Sequence, residues 1–260
     1  MLRTIEIHYE AKNSLQGKWS NFAIITFALL IVYFIVITPV LIANNISVIA
    51  QVKGVEEPHL LLVGLHLAYI ILLMPYIVIY WGYNIIYLNN LRGESVSVEH
   101  IFNGFRDFRR ICGTRLLEAI YVALWILLFA IPISILSVMT LTQVITNEAV
   151  FKLVVNLIVI LCCIPGIIKA YSYSLTQYIL KDYPQLSYNA AIEKSMQIMK
   201  GRKLRLFKLH VSFFGWFMLS MCTLGIGLLW LIPYISTSQA VFYLEAKAES
   251  ENTYYEDTPQ

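Results

Sequence analysis

The sequence of 260 residues contains few charged residues. Only 13 % are Asp, Glu, Lys or Arg, whereas 58 % are hydrophobic. A soluble globule of this length needs more polar surface, so the composition argues against an ordinary soluble domain and predicts that lipid solvates much of the chain. The net charge of +3 is small and the basic residues form no continuous patch, so we expect no nucleic-acid partner.

Cysteine is scarce and recognised catalytic motifs are missing. The four cysteines form no CxxC pair and have no nearby histidine, so we predict reduced packing residues and no metal site. The sequence contains no nucleophile elbow, HExxH motif, Walker loop or paired-carboxylate site. We therefore predict that the protein is not an enzyme and binds no cofactor. A membrane-embedded hydrolase is an alternative, and it would depend on Glu118 or His66.

The sequence does contain six apolar stretches. Residues 22–43, 60–88 and 119–139 each supply the roughly 20 residues that cross a bilayer core about 30 Å thick. A fourth run begins near residue 151. The uncharged residues 209–244 are too long for one span, and Gly225 and Gly227 provide a turn between two shorter ones. The pattern predicts an all-α polytopic membrane protein with about six transmembrane helices arranged as three hairpins.

Amphipathic segments flank the apolar runs. Apolar residues recur every three or four positions near residues 98–108 and 188–199, which is typical of helices at the membrane interface. We therefore predict a cytoplasmic juxtamembrane segment at residues 1–20 and a membrane domain at residues 21–244. Residues 245–260 are rich in acidic side chains and lack an apolar period, so we predict a disordered cytoplasmic tail.

The basic residues indicate an orientation. Of the 19 Lys and Arg residues, only Lys53 and Lys152 lie outside the N-terminal segment, alternate connections and the tail. The positive-inside rule then places both termini in the cytoplasm. We expect membrane lipids to be the partners of these cations, through headgroup contacts at Arg106, Arg109, Arg110, Lys200, Arg202 and Lys203.

Prolines mark three helices that would run inward across the membrane. Pro75, the Pro165–Gly166 pair and Pro233 each precede a polar half-helix, and a proline frees a backbone carbonyl. We predict helix breaks there and a cytoplasm-facing cavity between the polar halves. Its predicted ligand-binding residues are Lys169, Tyr171, Tyr173, Ser174, Tyr83, Asn84, Ser236 and Gln239. The alternative is that these polar groups bind neighbouring backbones or form an interfacial aromatic belt.

Lys169 suggests the ligand, because a fixed ammonium in a polar cavity can hold a carboxylate or a phosphate headgroup. The alternative is a lysine that extends to the interface. We infer non-enzymatic binding or transport of an amphipathic or anionic small molecule or lipid. An accessory or protective role through protein contacts is the alternative.

Several ordered motifs carry a family resemblance. They are IPGIIKAYSYS from Ile164, the S-x-x-x-M-K-G-x-K segment from Ser195, LFKLHVSFFGW from Leu206 and LGIGLLWLIPY from Leu224. The chain resembles a family of bacterial integral membrane proteins, widespread in Gram-positive lineages and known as a domain of unknown function. It is less closely similar to the membrane domain of some glycerophosphodiester phosphodiesterases. The resemblance implies a helical architecture in the bacterial cytoplasmic membrane, and it implies no activity.

Overall fold

The computed structural model describes the backbone of residues 3–141 and 148–256. It describes side chains at residues 3–127, 153, 156–157 and 164–252. These residues form α-helices joined by short connections, with no β-strand among them. The chain divides into two compact units, Met1–Cys112 with Lys208–Gln260 as unit 1 and Gly113–Phe207 as unit 2. The all-α class predicted from the sequence is confirmed.

Unit 1 begins with a short amphipathic helix and two long apolar helices. Helix α1 (Thr4–Leu15) buries Ile7, Ala11 and Leu15 on one face. Helices α2 (Trp19–Lys53) and α3 (His59–Leu91) pack against each other, and windows within them reach mean hydropathies of 2.8 and 2.3. By length and composition, α2 and α3 are the two helices of the described chain that could cross a membrane.

The predicted amphipathic segment after α3 is a 3₁₀ helix, Val98–Asp107. It approaches α3 closely because Gly82 faces the carbonyl group of Ile101, and a Cβ atom at Gly82 would overlap that group. A 3₁₀ helix has three residues per turn, so side chains three apart lie directly above one another. The rings of Phe102, Phe105 and Phe108 accordingly stack in an exposed row, with 6.3 Å between successive centroids.

Unit 2 contains most of α4 (Phe108–Leu141) together with α5 (Glu148–Tyr173), α6 (Thr176–Asp182) and α7 (Tyr188–Ile198). The helix predicted at residues 188–199 is therefore present as α7. Its buried Ser195 donates a hydrogen bond to the Ser172 carbonyl at 2.8 Å, which links α7 to α5. The connection predicted after residue 139 falls at residues 142–147, outside the described part of the chain.

The last apolar stretch forms a helical hairpin. Helices α8 (Lys203–Ser212) and α9 (Phe214–Cys222) lead into a turn at residues 223–227, and α10 (Leu228–Glu256) returns. The turn contains Gly225 and Gly227, as predicted, and Gly225 has a φ of 83° that suits glycine.

Two predicted features differ from the structure. Pro75, Pro165 with Gly166, and Pro233 lie inside continuous helices, so the expected breaks are absent. A proline removes one hydrogen bond of the helical ladder, and the bonds on either side maintain the helix. The expected disordered tail is helical to Glu256, because α1 packs on α10 and Ala246 is fully buried. Residues 257–260 lie outside the described chain.

Candidate functional site

Four of the predicted ligand-binding residues lie in unit 1, in closed packing. The hydroxyl of Tyr83 lies 2.9 Å from the Thr26 hydroxyl and is close to Ser236 of α10. Asn84 is buried and donates to the Tyr80 carbonyl at 2.8 Å. Gln239 Nε2 lies 2.6 Å from His210 Nε2. The structure thus joins Tyr83 and Ser236, as a buried polar contact.

The other four predicted residues lie in unit 2. The Lys169 ammonium lies 4.8 Å from the centroid of the Trp125 ring, a cation–π contact. Tyr171 packs edge-on against Phe207 at 6.1 Å. Tyr173 and Ser174 line a pocket of about 370 Å³, which Lys169 does not line. Lys169 therefore has an aromatic partner within the protein.

The unit 2 pocket contains a partly buried ion pair. Arg115 donates through Nη1 to Glu118 Oε2 at 2.8 Å and through Nη2 to Gln177 Oε1 at 3.0 Å. The Glu118 side chain is 9 % exposed, and its Oε1 has no hydrogen-bond partner within the described residues. Because the two opposite charges are already paired, this pocket presents no net charge to a ligand from that pair.

Many hydroxyl groups of the polar half-helices bind their own helix. Ser172 donates to the Ile168 carbonyl, Thr237 to that of Pro233 and Ser238 to that of Tyr234, at 2.8–2.9 Å. These bonds to the preceding turn match the alternative interpretation, in which such groups bind neighbouring backbone rather than a ligand.

The predicted docking cations lie on two segments. Arg106 and Arg109 are exposed beside the phenylalanine row, and Arg110 is partly exposed. Lys200 is exposed, Lys203 is partly exposed, and Arg202 donates to the Ile198 carbonyl at 2.7 Å. Exposed aromatic rings next to guanidinium groups are typical of a surface that lies against lipid headgroups.

A tryptophan-lined pocket in unit 1 was not predicted from the sequence. It has a volume of about 480 Å³, and α1, α2, α9, the turn and α10 all contribute to it. Trp19, Trp216, Trp230 and Tyr234 provide its aromatic surface, and Leu219, Leu231 and Gly227 also line it. Lys12 is its one residue with a formal charge.

The hydrogen-bond donors of this pocket divide into two groups. Ser220 donates to the Trp216 carbonyl and Thr223 to the Ser220 carbonyl, each at 2.8 Å, so their hydrogens are engaged. The Lys12 ammonium and the indole N–H groups of the three tryptophans have no hydrogen-bond partner in the described part of the chain. The residues that line the pocket therefore combine apolar surface with hydrogen-bond donors, and these donors can bind an anionic or carbonyl oxygen.

His8 holds α1 at the edge of this pocket. Ser212 donates its hydrogen to the Leu209 carbonyl at 2.6 Å, so its oxygen accepts from His8 Nε2–H at 2.7 Å. The Tyr234 hydroxyl donates to the His8 carbonyl at 3.3 Å and lies 3.1 Å from Nδ1. Burial lowers the pKa of His8 from its usual 6.5. The neutral imidazole thus fixes α1, and with it Lys12, against α8 and α10.

Sequence reasoning missed this pocket because its walls come from both ends of the chain. Lys12 and Trp19 lie in the first two helices, whereas Trp216 and Trp230 flank the final turn. One signal was available, since two of the five tryptophans lie within seven residues of Thr223. Tryptophan combines a large apolar ring with one donor, which suits an amphipathic ligand.

Comparison with known proteins identifies a family and no activity. Residues 1–250 match the model of the family described as "Protein of unknown function (DUF975)". No curated protein and no solved structure matches the chain, and the similarity to the membrane domain of glycerophosphodiester phosphodiesterases finds no support. The match covers nearly the whole sequence, and it agrees with the resemblance carried by the motifs from Ile164 to Tyr234. The chain therefore belongs to the DUF975 family.

Proposed function

We propose that this chain is a multi-pass protein of the bacterial cytoplasmic membrane with both termini in the cytoplasm. The length and hydropathy of α2 and α3 support insertion. The exposed apolar surface of the final hairpin, including Phe214, Trp216 and Leu219, supports further contact with lipid. The concentration of Lys and Arg in alternate connections supports the orientation.

Within that membrane protein, the tryptophan pocket binds an amphipathic anion without chemical turnover, either to retain it or as the binding step of transport. The observation that carries this proposal is the pairing of three tryptophans with Lys12, whose ammonium has no partner among the described residues. An acyl or other apolar body gains about 0.8 kcal/mol for each methylene buried against the rings. A phosphate or carboxylate at the Lys12 end accepts from the ammonium.

Tryptophan fluorescence during lipid titration tests this proposal. The probes are lysophosphatidic acid and lysophosphatidylcholine of the same acyl length, which share the apolar body and differ in headgroup charge. We expect tighter binding of the anionic probe. Lys12→Ala should weaken that binding about threefold to fivefold, because an exposed ion pair contributes at most about 1 kcal/mol. Trp216→Ala should weaken binding of both probes, since it removes part of the shared apolar surface.

Two control variants separate a specific contact from general surface charge. Lys12→Arg retains a cation at the pocket and should retain the headgroup preference. Lys53→Ala removes a lysine from the far end of α2, outside the pocket, and should bind both probes as the wild type does. Equal affinity of the wild type for the two headgroups would refute the proposed anion site.

A second proposal concerns the 3₁₀ helix. Its exposed phenylalanine row beside Arg106 and Arg109 supports a surface contact in which the rings enter the headgroup boundary and the guanidinium groups contact phosphates. The same surface could serve an accessory role through a protein partner. Loss of Arg106 and Arg109 should then matter more to function than loss of Lys12.

A further inference from the structure

The turn of the final hairpin is apolar where a turn in water would be polar. Between Cys222 and Leu228 the chain reads Thr-Leu-Gly-Ile-Gly, and Leu224 is 95 % exposed. Leu224 also has a φ of 53°, a conformation that Gly, Asn or Asp usually occupies. Ile226 is 60 % exposed on the same turn. This composition favours surroundings without water.

The backbone of the turn supplies its own hydrogen bonds. Each amide N–H from residue 223 to residue 231 donates to an acceptor inside the hairpin, at 3.0–3.2 Å. Gly227 N–H reaches the Thr223 hydroxyl, which itself donates to the Ser220 carbonyl. Hydrocarbon offers no partner to a backbone N–H or C=O group, so non-helical backbone at membrane depth must form its hydrogen bonds internally or face protein or a polar cavity. This turn meets that condition for its N–H groups.

Helix α1 sets the depth that the turn can reach. Its exposed Glu6, Glu10 and Lys12 require water or the headgroup region. His8 of the same helix contacts Ser212, so Ser212 lies near that level. Leu224 follows twelve positions later, which is at most about 18 Å along a helix that rises 1.5 Å per residue. A bilayer core is about 30 Å thick, so the hairpin is too short to cross it. Thr223 and Gly227 line the same pocket as Lys12, so the turn stays in the half of the bilayer next to α1.

We propose that the final hairpin is re-entrant. It enters the bilayer and returns to the side from which it came, and the turn at residues 223–227 packs against lipid acyl chains. The hairpin thus replaces the last two of the six predicted spans, and the side of the C-terminus is unchanged. This inference rests on the membrane insertion included in the proposed function and is independent of the ligand pocket.

Accessibility of the native Cys222 tests the proposal, since this exposed thiol lies directly before the turn. The protein carries Cys112→Ala, Cys162→Ala and Cys163→Ala and is reconstituted in vesicles of defined orientation. A membrane-impermeant maleimide is applied to either face. Two reference proteins lack all four native cysteines and carry Val55→Cys in the connection between α2 and α3, or Lys200→Cys on the basic segment.

We expect Val55→Cys and Lys200→Cys to react from opposite faces. Cys222 should react at least about tenfold more slowly than both references from either face, because a thiol in hydrocarbon forms little thiolate. Labelling after denaturation in detergent confirms that the thiol is intact. Reaction of Cys222 from the Val55 face at the Val55→Cys rate would show a fully crossing hairpin. Reaction from the Lys200 face at the Lys200→Cys rate would show a hairpin at the surface. Either result overturns the re-entrant hairpin.

The reference proteins separate this failure from failure of the proposed membrane topology. If Val55→Cys and Lys200→Cys react from the same face, the proposed crossing by the long helices is wrong, and the re-entrant hairpin loses its basis.

As an independent measurement, a spin label on Cys222 should collide more often with oxygen than with a water-soluble nickel chelate. The reverse ratio would place the turn in water.

Discussion

At the residue scale, His8 connects α1 to the final hairpin. Its two ring nitrogens bind Ser212 and Tyr234, and its ring packs edge-on against Phe213 at 4.6 Å. Protonation would place a positive charge one turn from Lys12. That repulsion opposes the charged form of His8 in the docked helix, in the same direction as its burial.

We predict that acid loosens α1 through His8. Because docking lowers the pKa of His8 below 6.5, docking is stabilised above pH 6.5 and loses this contribution as the pH falls below that value. The thermal unfolding temperature of the detergent-solubilised protein, measured from pH 8 to pH 5, should decrease as the pH falls below 6.5. His8→Gln should show a flatter profile there, and His8→Ala should cost about 1–2 kcal/mol at pH 8 through the lost hydrogen bonds.

His59→Gln is the matched control for this prediction. His59 is exposed at the start of α3, and its substitution should leave the pH profile unchanged. If His8→Gln retains the wild-type fall below pH 6.5, another group causes the acid sensitivity, and the proposed role of His8 is wrong.

At the element scale, the packing of α3 against the 3₁₀ helix depends on the absence of a side chain at two positions. Gly82 lies against the backbone of Ile101, and Gly104 lies close to Val78 and Trp81 of α3. These approaches involve backbone on at least one side, which cannot move away as a flexible side chain would. The contact therefore fixes the 3₁₀ helix, and with it the phenylalanine row, in unit 1.

We predict that Gly82→Ala destabilises the protein by more than about 2 kcal/mol, because the new methyl group would overlap the Ile101 carbonyl. The thermal midpoint, followed by size-exclusion chromatography after heating in detergent, measures the effect. Gly64→Ala is the control in the same helix, since nothing lies within 4 Å of its added Cβ. It should be neutral or mildly stabilising. Equal midpoints for the two variants would contradict the close packing described for Gly82.

The elements also show where sequence patterns are sufficient. Apolar runs predicted α2 and α3, and a period of three to four predicted α7, because those signals are local. The same spacing could not distinguish an α-helix from the 3₁₀ helix at Val98–Asp107, since both place residues three apart on one side. The tail was mispredicted because its acidic composition outweighed the packing of α1 on α10, which only the fold reveals.

At the scale of the whole molecule, the two units differ in what they offer to a ligand. In unit 2 Arg115 is paired with Glu118, and Lys169 lies over the ring of Trp125. In unit 1 the tryptophan pocket retains donors without partners in the described chain. Lys169 was the strongest candidate from the sequence because its place in a polar half-helix can be read from the neighbouring residues. Lys12 was not a candidate, since only tertiary structure places it beside residues from the last hairpin.

Native mass spectrometry of the protein released from its own membrane tests the ligand pocket most directly. We predict a discrete bound species of amphipathic and anionic character on the wild type. That species should be reduced on Lys12→Ala, lost on Trp216→Ala and retained on Lys53→Ala. A wild-type protein that carries only bulk lipids, in the proportions of the membrane and unaffected by these substitutions, would contradict the proposed function.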